Sequence, residues 1–315
     1  MRPATSVIFF TAASGAGYGL LALLGLANAA RSLPTGPWFG AVAIGLALAL
    51  VTGGLVSSAA HLGHPERAWR AVSQVGSSWL SREGVAALAT YVPAVLFGLG
   101  WIGPGPATGW VVVMGLLSAL CAVVTVFATG QIYATLKPIR RWHNGWVTPL
   151  YLAFAGATGA LWLVPLLYAF GGATPGLASL APALVLVAWF LKRGYWRFVD
   201  QETGAATAAS ALGLPHGTPV RVLDPPHTED NYLLKEMAYR LARKHARKLR
   251  GHAYLFGFGL PLILSLGLIA LPPLGAGLAA LIAALSGTVG VLIERWLFFA
   301  EARHTVTLYY GAEAA

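Results

Sequence analysis

The chain contains eight apolar stretches that are each long enough to cross a lipid bilayer. A helix needs about 20 apolar residues to span the hydrocarbon core. Only 10% of the 315 residues are charged, against about 25% in a typical soluble domain. The sequence therefore predicts an all-α integral membrane protein, with eight transmembrane helices in a single membrane domain, 1–315. The predicted spans are 5–29, 38–60, 84–102, 109–132, 147–170, 176–195, 253–271 and 275–299.

Basic residues predict the orientation of the bundle. If all eight stretches span the membrane, 20 of the 21 Lys and Arg residues fall on one side, and only Arg31 falls on the other. Cytoplasmic loops carry such an excess, so we expect a multi-pass protein of the bacterial inner (plasma) membrane with both termini in the cytoplasm. A cleaved signal peptide is a competing interpretation of the first stretch, because Ala27-Asn28-Ala29 resembles a cleavage site. The length of the stretch favours a retained span.

A cytoplasmic insert, 196–250, is predicted between the sixth and seventh spans. Its second half reads as a basic amphipathic helix, which either lies on anionic lipid or also docks a protein partner. The apolar residues of this helix are Tyr232, Leu234, Met237, Leu241 and Leu249. The net charge of +10 comes without a nucleic-acid-binding motif, so we expect lipid and protein partners and no nucleic acid.

The histidines and the single cysteine bear on metal cofactors. All eight His residues lie in loops or at predicted helix ends, whereas a haem inside a bundle takes its imidazoles from within the spans. We therefore expect no haem, with His252 and His304 the least unfavourable pair. Cys121 alone cannot ligate an iron–sulfur cluster, so no cluster and no metal site is expected in this chain.

A polar insert, 61–84, separates the second and third predicted spans and carries the candidate site. Oxidising a quinol, or reducing a quinone, requires a hydrogen bond to the ring oxygen, a proton acceptor or donor, and an apolar slot. His61 ends the second span and Glu83 begins the third, and both side chains can exchange protons near neutral pH. We predict these two as the catalytic residues. The other predicted quinone-binding residues are His64, Arg67, Trp79, Ser81 and Arg82.

Two of these predictions have ordinary structural alternatives. Arg82 is expected either to hold Glu83 ionised or to face lipid phosphate. Trp79 and Arg82 also fit the role of interfacial anchors, and Trp69 fits that role better than a place beside the ring.

Several motifs together carry a family resemblance. The insert HLGHPERAWRAV, the following SSWLSRE, the segment GQIYATLKPIRRWHNGWVTPLY (130–151) and ERWLFFAEARH (294–304) resemble the dimethyl sulfoxide reductase anchor subunit family over nearly the whole chain. The resemblance implies a haem-free anchor for a molybdopterin catalytic subunit and a four-cluster, ferredoxin-like iron–sulfur subunit. It also implies that His61 and Glu83 serve the quinol site. Secondary candidates in the matching segments are Gln131, Tyr133, Glu294, Arg295 and His304, with structural pairing inside the membrane as the alternative for those in the last span.

The long insert before the seventh span looks like the variant found in cytoplasm-facing, sulfite-oxidising complexes. We therefore expect a membrane anchor that passes electrons from an iron–sulfur partner to menaquinone or ubiquinone, with sulfite as the favoured substrate of the complex. The alternative is a quinol-oxidising anchor of a dimethyl sulfoxide or related reductase in anaerobic respiration. Hypotheses of another class are a membrane transporter and a purely structural tether.

Overall fold

The computed structural model describes residues 4–60, 62–201, 206–215, 217–221, 223–224, 241–310 and 312. Eight helices within these residues are long and apolar enough to cross a membrane, which confirms the all-α, eight-span architecture. The helices are α1 (Thr5–Ala29), α2 (Pro37–Ala59), α3 (Trp79–Ile102), α4 (Gly109–Ala134), α5 (Val147–Ala169), α6 (Leu180–Gln201), α7 (His245–Ala270) and α8 (Pro273–Ala300).

Helix α1 lies at the centre of the bundle and packs against α2, α4, α5 and α8. Its closest approach is to α5. A Cβ atom added at Gly19 would collide with the carbonyl of Ala155, and one added at Gly159 would collide with the backbone at Gly19 and Leu20. Lipid supplies no hydrophobic drive between helices, so backbones that approach this closely gain their attraction from direct packing.

Helix α7 is irregular where it meets α8. A π-helical turn, Leu255–Gly259, interrupts it, and Gly257 in this turn lies against the backbone of Gly290 in α8. The Ser286 hydroxyl donates to the Phe256 carbonyl at 2.8 Å. Since a π turn displaces backbone groups from regular helix bonding, this side-chain bond helps to hold the irregular turn in an apolar environment.

Three helix boundaries differ clearly from the predicted spans, and the largest difference is at α7, which begins at His245 and not at 253. Helix α3 begins at Trp79 and not at 84, because the Ser78 side chain accepts a hydrogen bond from the Ser81 amide and caps the helix there. Helix α6 continues to Gln201 and does not end at 195, because Trp196 and Val199 are buried. The predicted start of the insert at 196 therefore falls within helix α6, and Glu83 lies one turn inside a helix.

The described end of the insert is continuous with α7. The helix Leu241–Tyr254 runs directly into the span, and Ala246 and Leu249 pack against the hydrophobic core. The predicted apolar residues Tyr232, Leu234 and Met237 lie outside the described residues. Contact of this helix with lipid or a partner stays a prediction.

Charged groups join four segments at one end of the bundle, which we call the N-terminal end because α1 starts there. Arg250 donates to Glu301 at 2.9 Å and to Asp200 at 2.7 Å, and Arg141 lies 3.5 Å from Glu301. The Trp142 indole nitrogen donates to the Phe298 carbonyl at 3.0 Å. The loop after α4 is thereby bound to the end of α8, and Glu301 and Arg250 extend these contacts to α7 and α6.

The contact between α1 and α5 can be tested with two glycines of α5. We expect Gly159→Ala to destabilise the folded chain by about 1–3 kcal/mol, because its methyl group must displace helix backbone. Gly156→Ala is the matched control, since a Cβ there would meet only the Leu184 side chain at 3.8 Å. Thermal unfolding in detergent should separate the two variants, and equal melting temperatures would contradict the close approach.

Candidate functional site

Glu83 is a buried acid near the N-terminal end of the bundle. Its side chain is 5% exposed and lies one turn inside α3. The Thr129 hydroxyl of α4 lies 2.5 Å from the Glu83 carboxylate and 3.0 Å from the Thr125 carbonyl. Thr129 can donate to the ionised carboxylate, or accept from the protonated acid while donating to Thr125. The arrangement therefore offers Glu83 a hydrogen bond in both charge states, as a group that exchanges protons requires.

Aromatic and apolar side chains flank Glu83 on the outer surface. The ring of Trp79 packs edge-on against Phe127 of α4, with 5.9 Å between ring centroids. Leu80 is exposed, while Ser81 is buried and accepts from the Gln74 amide at 3.2 Å. The surface beside the acid is thus apolar and open towards lipid.

Arg82 does not pair with Glu83. Its guanidinium donates to the carbonyls of Val75 and Gly76, each at 2.8 Å, and stacks over the Trp79 ring at 4.4 Å. The expectation that Arg82 holds Glu83 ionised was therefore wrong, because the guanidinium is turned back onto the loop. Its role here is to fix the turn that leads into α3.

The remaining predicted residues of the polar insert lie on the surface. His64 contacts Glu66 at 3.0 Å, and Arg67 lies 3.8 Å from the same carboxylate; all three side chains are more than half exposed. Trp69 is exposed as well. His61 directly follows the end of α2 and lies outside the described residues, so its pairing with Glu83 stays a prediction.

Gln131 lines a groove between α4 and α5 near the same end. The groove measures about 610 Å³, and its lining includes Phe127, Gln131, His143 and Asn144. Phe127 also contacts Trp79, so the groove adjoins the outer surface beside Glu83.

Tyr133 and His304 belong to the packing at the N-terminal end. The Tyr133 ring stacks on Tyr151 with centroids 5.6 Å apart, and it contacts Trp142, Phe298 and Phe299. His304 follows α8, and its Nδ1 accepts from the Val306 amide at 3.0 Å. Partial burial lowers the pKa of His304 below its ordinary value, which favours the neutral ring that this bond requires.

Glu294 and Arg295 form a buried charge cluster with Lys192, a residue that the sequence motifs do not single out. One carboxylate oxygen of Glu294 contacts the Lys192 ammonium and the other contacts the Arg295 guanidinium. All three side chains are at most 3% exposed. Lys192 also lies over the Tyr195 ring at 4.2 Å, and Arg295 lies over the Tyr151 ring at 4.4 Å. We call Glu294, Arg295 and Lys192 the Glu294 cluster.

A narrow cavity lies between Thr129 and the Glu294 cluster. Residues from α1, α4, α5 and α8 line it, among them Gly15, Tyr18, Thr129, Tyr151 and Arg295. Thr129 contacts the Glu83 carboxylate from one side of the cavity, and Arg295 reaches the cavity from the Glu294 cluster on the other side. The buried acid and the buried cations therefore share one polar region inside the bundle.

Within the described residues, no group of three or more His, Cys, Asp or Glu side chains has a metal-binding arrangement. Thr129, Lys192, Tyr18 and Tyr151 lie in apolar stretches, where sequence reasoning gave them no role. Only Lys192 carried a signal, because a charged residue inside a span is expected to have a partner.

The Glu294 cluster predicts an asymmetric response to mutation. Glu294→Gln leaves two buried cations without their carboxylate, and removing one member of a buried ion pair costs about 3–5 kcal/mol. Lys192→Met leaves the Glu294 and Arg295 charges balanced, so we expect a smaller loss. Yield and melting temperature of the purified protein measure both. A Lys192→Met variant as unstable as Glu294→Gln would contradict the arrangement.

Comparison with known proteins agrees with these features. Residues 1–311 match the family model of DmsC, the DMSO reductase anchor subunit. The chain is also 32% identical, over 331 aligned positions covering all of both chains, to a sulfite dehydrogenase subunit from Allochromatium vinosum. The chain therefore belongs to the DMSO reductase anchor subunit family and is a multi-pass membrane anchor subunit of a complex of that family.

Proposed function

We propose that this anchor subunit reacts with quinone and passes electrons between an iron–sulfur partner and the membrane quinone pool. The observation that carries the proposal is Glu83, a buried carboxyl group one helical turn from the N-terminal end of the bundle, with a threonine partner suited to both of its charge states. An ionisable group at this depth is costly, and such groups usually mark functional sites.

The surroundings of Glu83 fit a quinone ring and its tail. When bound, a quinone would supply the acceptor for two electrons and two protons. Trp79 and Phe127 present an aromatic edge beside the acid, and exposed Leu80 leaves the approach from lipid apolar. Glu83 would hold or release a proton at the ring oxygen, and His61, next to the end of α2, would serve the second oxygen.

Gln131 gives this site a second wall. The groove of about 610 Å³ that Gln131 lines is within the size range of small-molecule sites. The Gln131 amide would donate a hydrogen bond to a carbonyl oxygen there. His64 and Arg67 are exposed on the insert, and we assign them to the entrance or to contact with the partner subunit.

The relative's name suggests the direction of electron flow. Because the full-length relative is a sulfite dehydrogenase subunit, we propose that the complex oxidises sulfite and reduces ubiquinone or menaquinone. A four-cluster iron–sulfur subunit and a molybdopterin subunit would bind on the cytoplasmic face, at the N-terminal end of the bundle. A quinol-oxidising anchor would use the same residues in reverse, with Glu83 accepting the proton.

The first test is Glu83→Gln, which keeps the shape of the side chain and removes its proton chemistry. We expect sulfite-dependent reduction of a soluble ubiquinone analogue by the assembled complex to fall about 10²-fold or more. Sulfite oxidation with an artificial electron acceptor should stay unchanged. Glu66→Gln is the matched control, because this acid lies on the same insert but is exposed.

Two outcomes of that experiment, and one further assay of the wild-type complex, are informative. Wild-type quinone reduction in Glu83→Gln would contradict the site and leave a structural tether as the better interpretation. If Glu83→Gln lost sulfite oxidation with the artificial acceptor to the same extent as quinone reduction, the complex would have failed to assemble. Activity with a quinol donor and a sulfoxide acceptor, in place of sulfite, would reverse the proposed direction.

Orientation has a test of its own. In a Cys121→Ser background, Ala107→Cys in the α3–α4 loop and Ser73→Cys before α3 place single thiols at opposite ends of the bundle, and both positions are exposed. An impermeant maleimide added to spheroplasts should label Ala107→Cys at once and Ser73→Cys only after permeabilisation. The reverse pattern would place the N-terminal end outside the cytoplasm.

A further inference from the structure

The cavity between α1, α4, α5 and α8 contains buried polar atoms that the protein does not satisfy. Among the described residues, Arg295 Nη1 and Nη2, Tyr18 OH and Tyr151 OH have no hydrogen-bond partner, and all three side chains line the cavity. Arg295 also lies over the face of the Tyr151 ring, with 4.4 Å between its guanidinium carbon and the ring centroid. Each side chain is at least nine-tenths buried.

Unsatisfied donors are costly at this depth. Inside a membrane protein, bulk water does not reach a buried guanidinium, and a hydrogen bond left unmade by a charged group costs more than one left unmade by a neutral group. Apolar cavities stay dry, but cavities lined by two to four polar groups hold ordered water. The cavity offers about 20 Å³ to the centre of a water molecule, and one water requires about 10–15 Å³.

We propose that this cavity is an internal water site that links Glu83 to the fixed positive charge of Arg295. The water accepts from Arg295 and bonds the Tyr18 and Tyr151 hydroxyls, while Thr129 joins the same cavity to the Glu83 carboxylate. Arg295 is then a positioning residue that acts on Glu83 through the bound water and takes no direct part in the reaction. This inference rests on the proposed role of Glu83 at the quinone site.

Charge balance supports the link. Lys192 and Arg295 contribute two positive charges and Glu294 one negative charge, so the cluster leaves one positive charge in the interior. An ionised Glu83 across the cavity offsets that charge. A water between them carries the interaction by hydrogen bonds and leaves the carboxyl group able to change its charge state, which a direct salt bridge would oppose.

Gly15 allows the site to be filled without removing any polar group. It lines the cavity, and a Cβ added there meets nothing within 4 Å. We therefore expect the valine side chain of Gly15→Val to occupy the cavity and displace the water. Gly45→Val is the matched control, because Gly45 is an exposed glycine of α2 that also has open space around its Cβ.

The primary experiment is a cryo-electron microscopy map of the assembled complex in lipid discs, at a resolution that shows ordered water. We expect density within hydrogen-bond distance of an Arg295 outer nitrogen and of at least one of the two tyrosine hydroxyls. It should be absent in Gly15→Val and present in Gly45→Val. A wild-type cavity without density, in a map that shows other buried waters, would overturn the inference, as would a direct Arg295–Glu83 bond.

Quinone-linked turnover gives the second readout. Gly15→Val should reduce turnover about tenfold, which corresponds to one lost hydrogen bond to a charged group, and Gly45→Val should not. Arg295→Lys should retain more turnover than Arg295→Gln if charge and a donor are what the site needs. Loss of turnover in Gly15→Val with the water still in place would refute the link.

The two proposals can fail separately. Unchanged turnover in Glu83→Gln contradicts the quinone site whatever the map shows. A large loss in Glu83→Gln together with a dry cavity leaves the quinone site standing and removes only the internal water.

Discussion

A bilayer interior cannot solvate charge, and the Glu294 carboxylate meets that constraint by contacting two cations at once. Lys192 approaches from α6, Arg295 from the next position on α8, and the Arg295 guanidinium then covers the Tyr151 ring of α5. The cluster thereby joins α8 to the consecutive helices α5 and α6. The aromatic packing around Tyr133 and Phe298 adjoins that arrangement, because Arg295 also lies over the Phe298 ring at 4.8 Å.

Helix number was predictable because the length of an apolar stretch is a direct consequence of bilayer thickness. Glu294 and Arg295 were also recognisable, since charged residues stand out in such stretches, and Glu83 was recognisable as an acid at the end of the polar insert. The partner of Glu294 was not, because Lys192 lies 102 positions away and only tertiary packing brings the two together. Thr129 and Tyr18 are ordinary residues of membrane helices, so nothing local distinguishes the threonine that contacts an acid.

The polar insert and the start of α3 divide into two environments that a linear motif does not reveal. His64, Glu66 and Arg67 contact one another on the exposed surface, whereas Ser81 and Glu83 are buried. The division falls at Ser78, whose side chain starts α3 before the apolar stretch begins. A prediction from hydrophobicity alone places the start of a span too late when the first turn of the helix is polar and packs against a neighbouring helix. Here Arg82 holds that turn by donating to the carbonyls of Val75 and Gly76.

The π turn of α7 has a consequence for how the chain tolerates change in length. A π turn accommodates one more residue than the same turn of α-helix, and each residue of an α-helix advances the azimuth by about 100°. Loss of one residue within Leu255–Gly259 would return this turn to α-helical winding and leave Leu241–Tyr254 facing the same way, with Arg250 beside Glu301, whereas the same loss elsewhere in α7 would rotate that helix by about 100°. Descendants of this chain are thus freer to lose one residue within these five positions than elsewhere in α7.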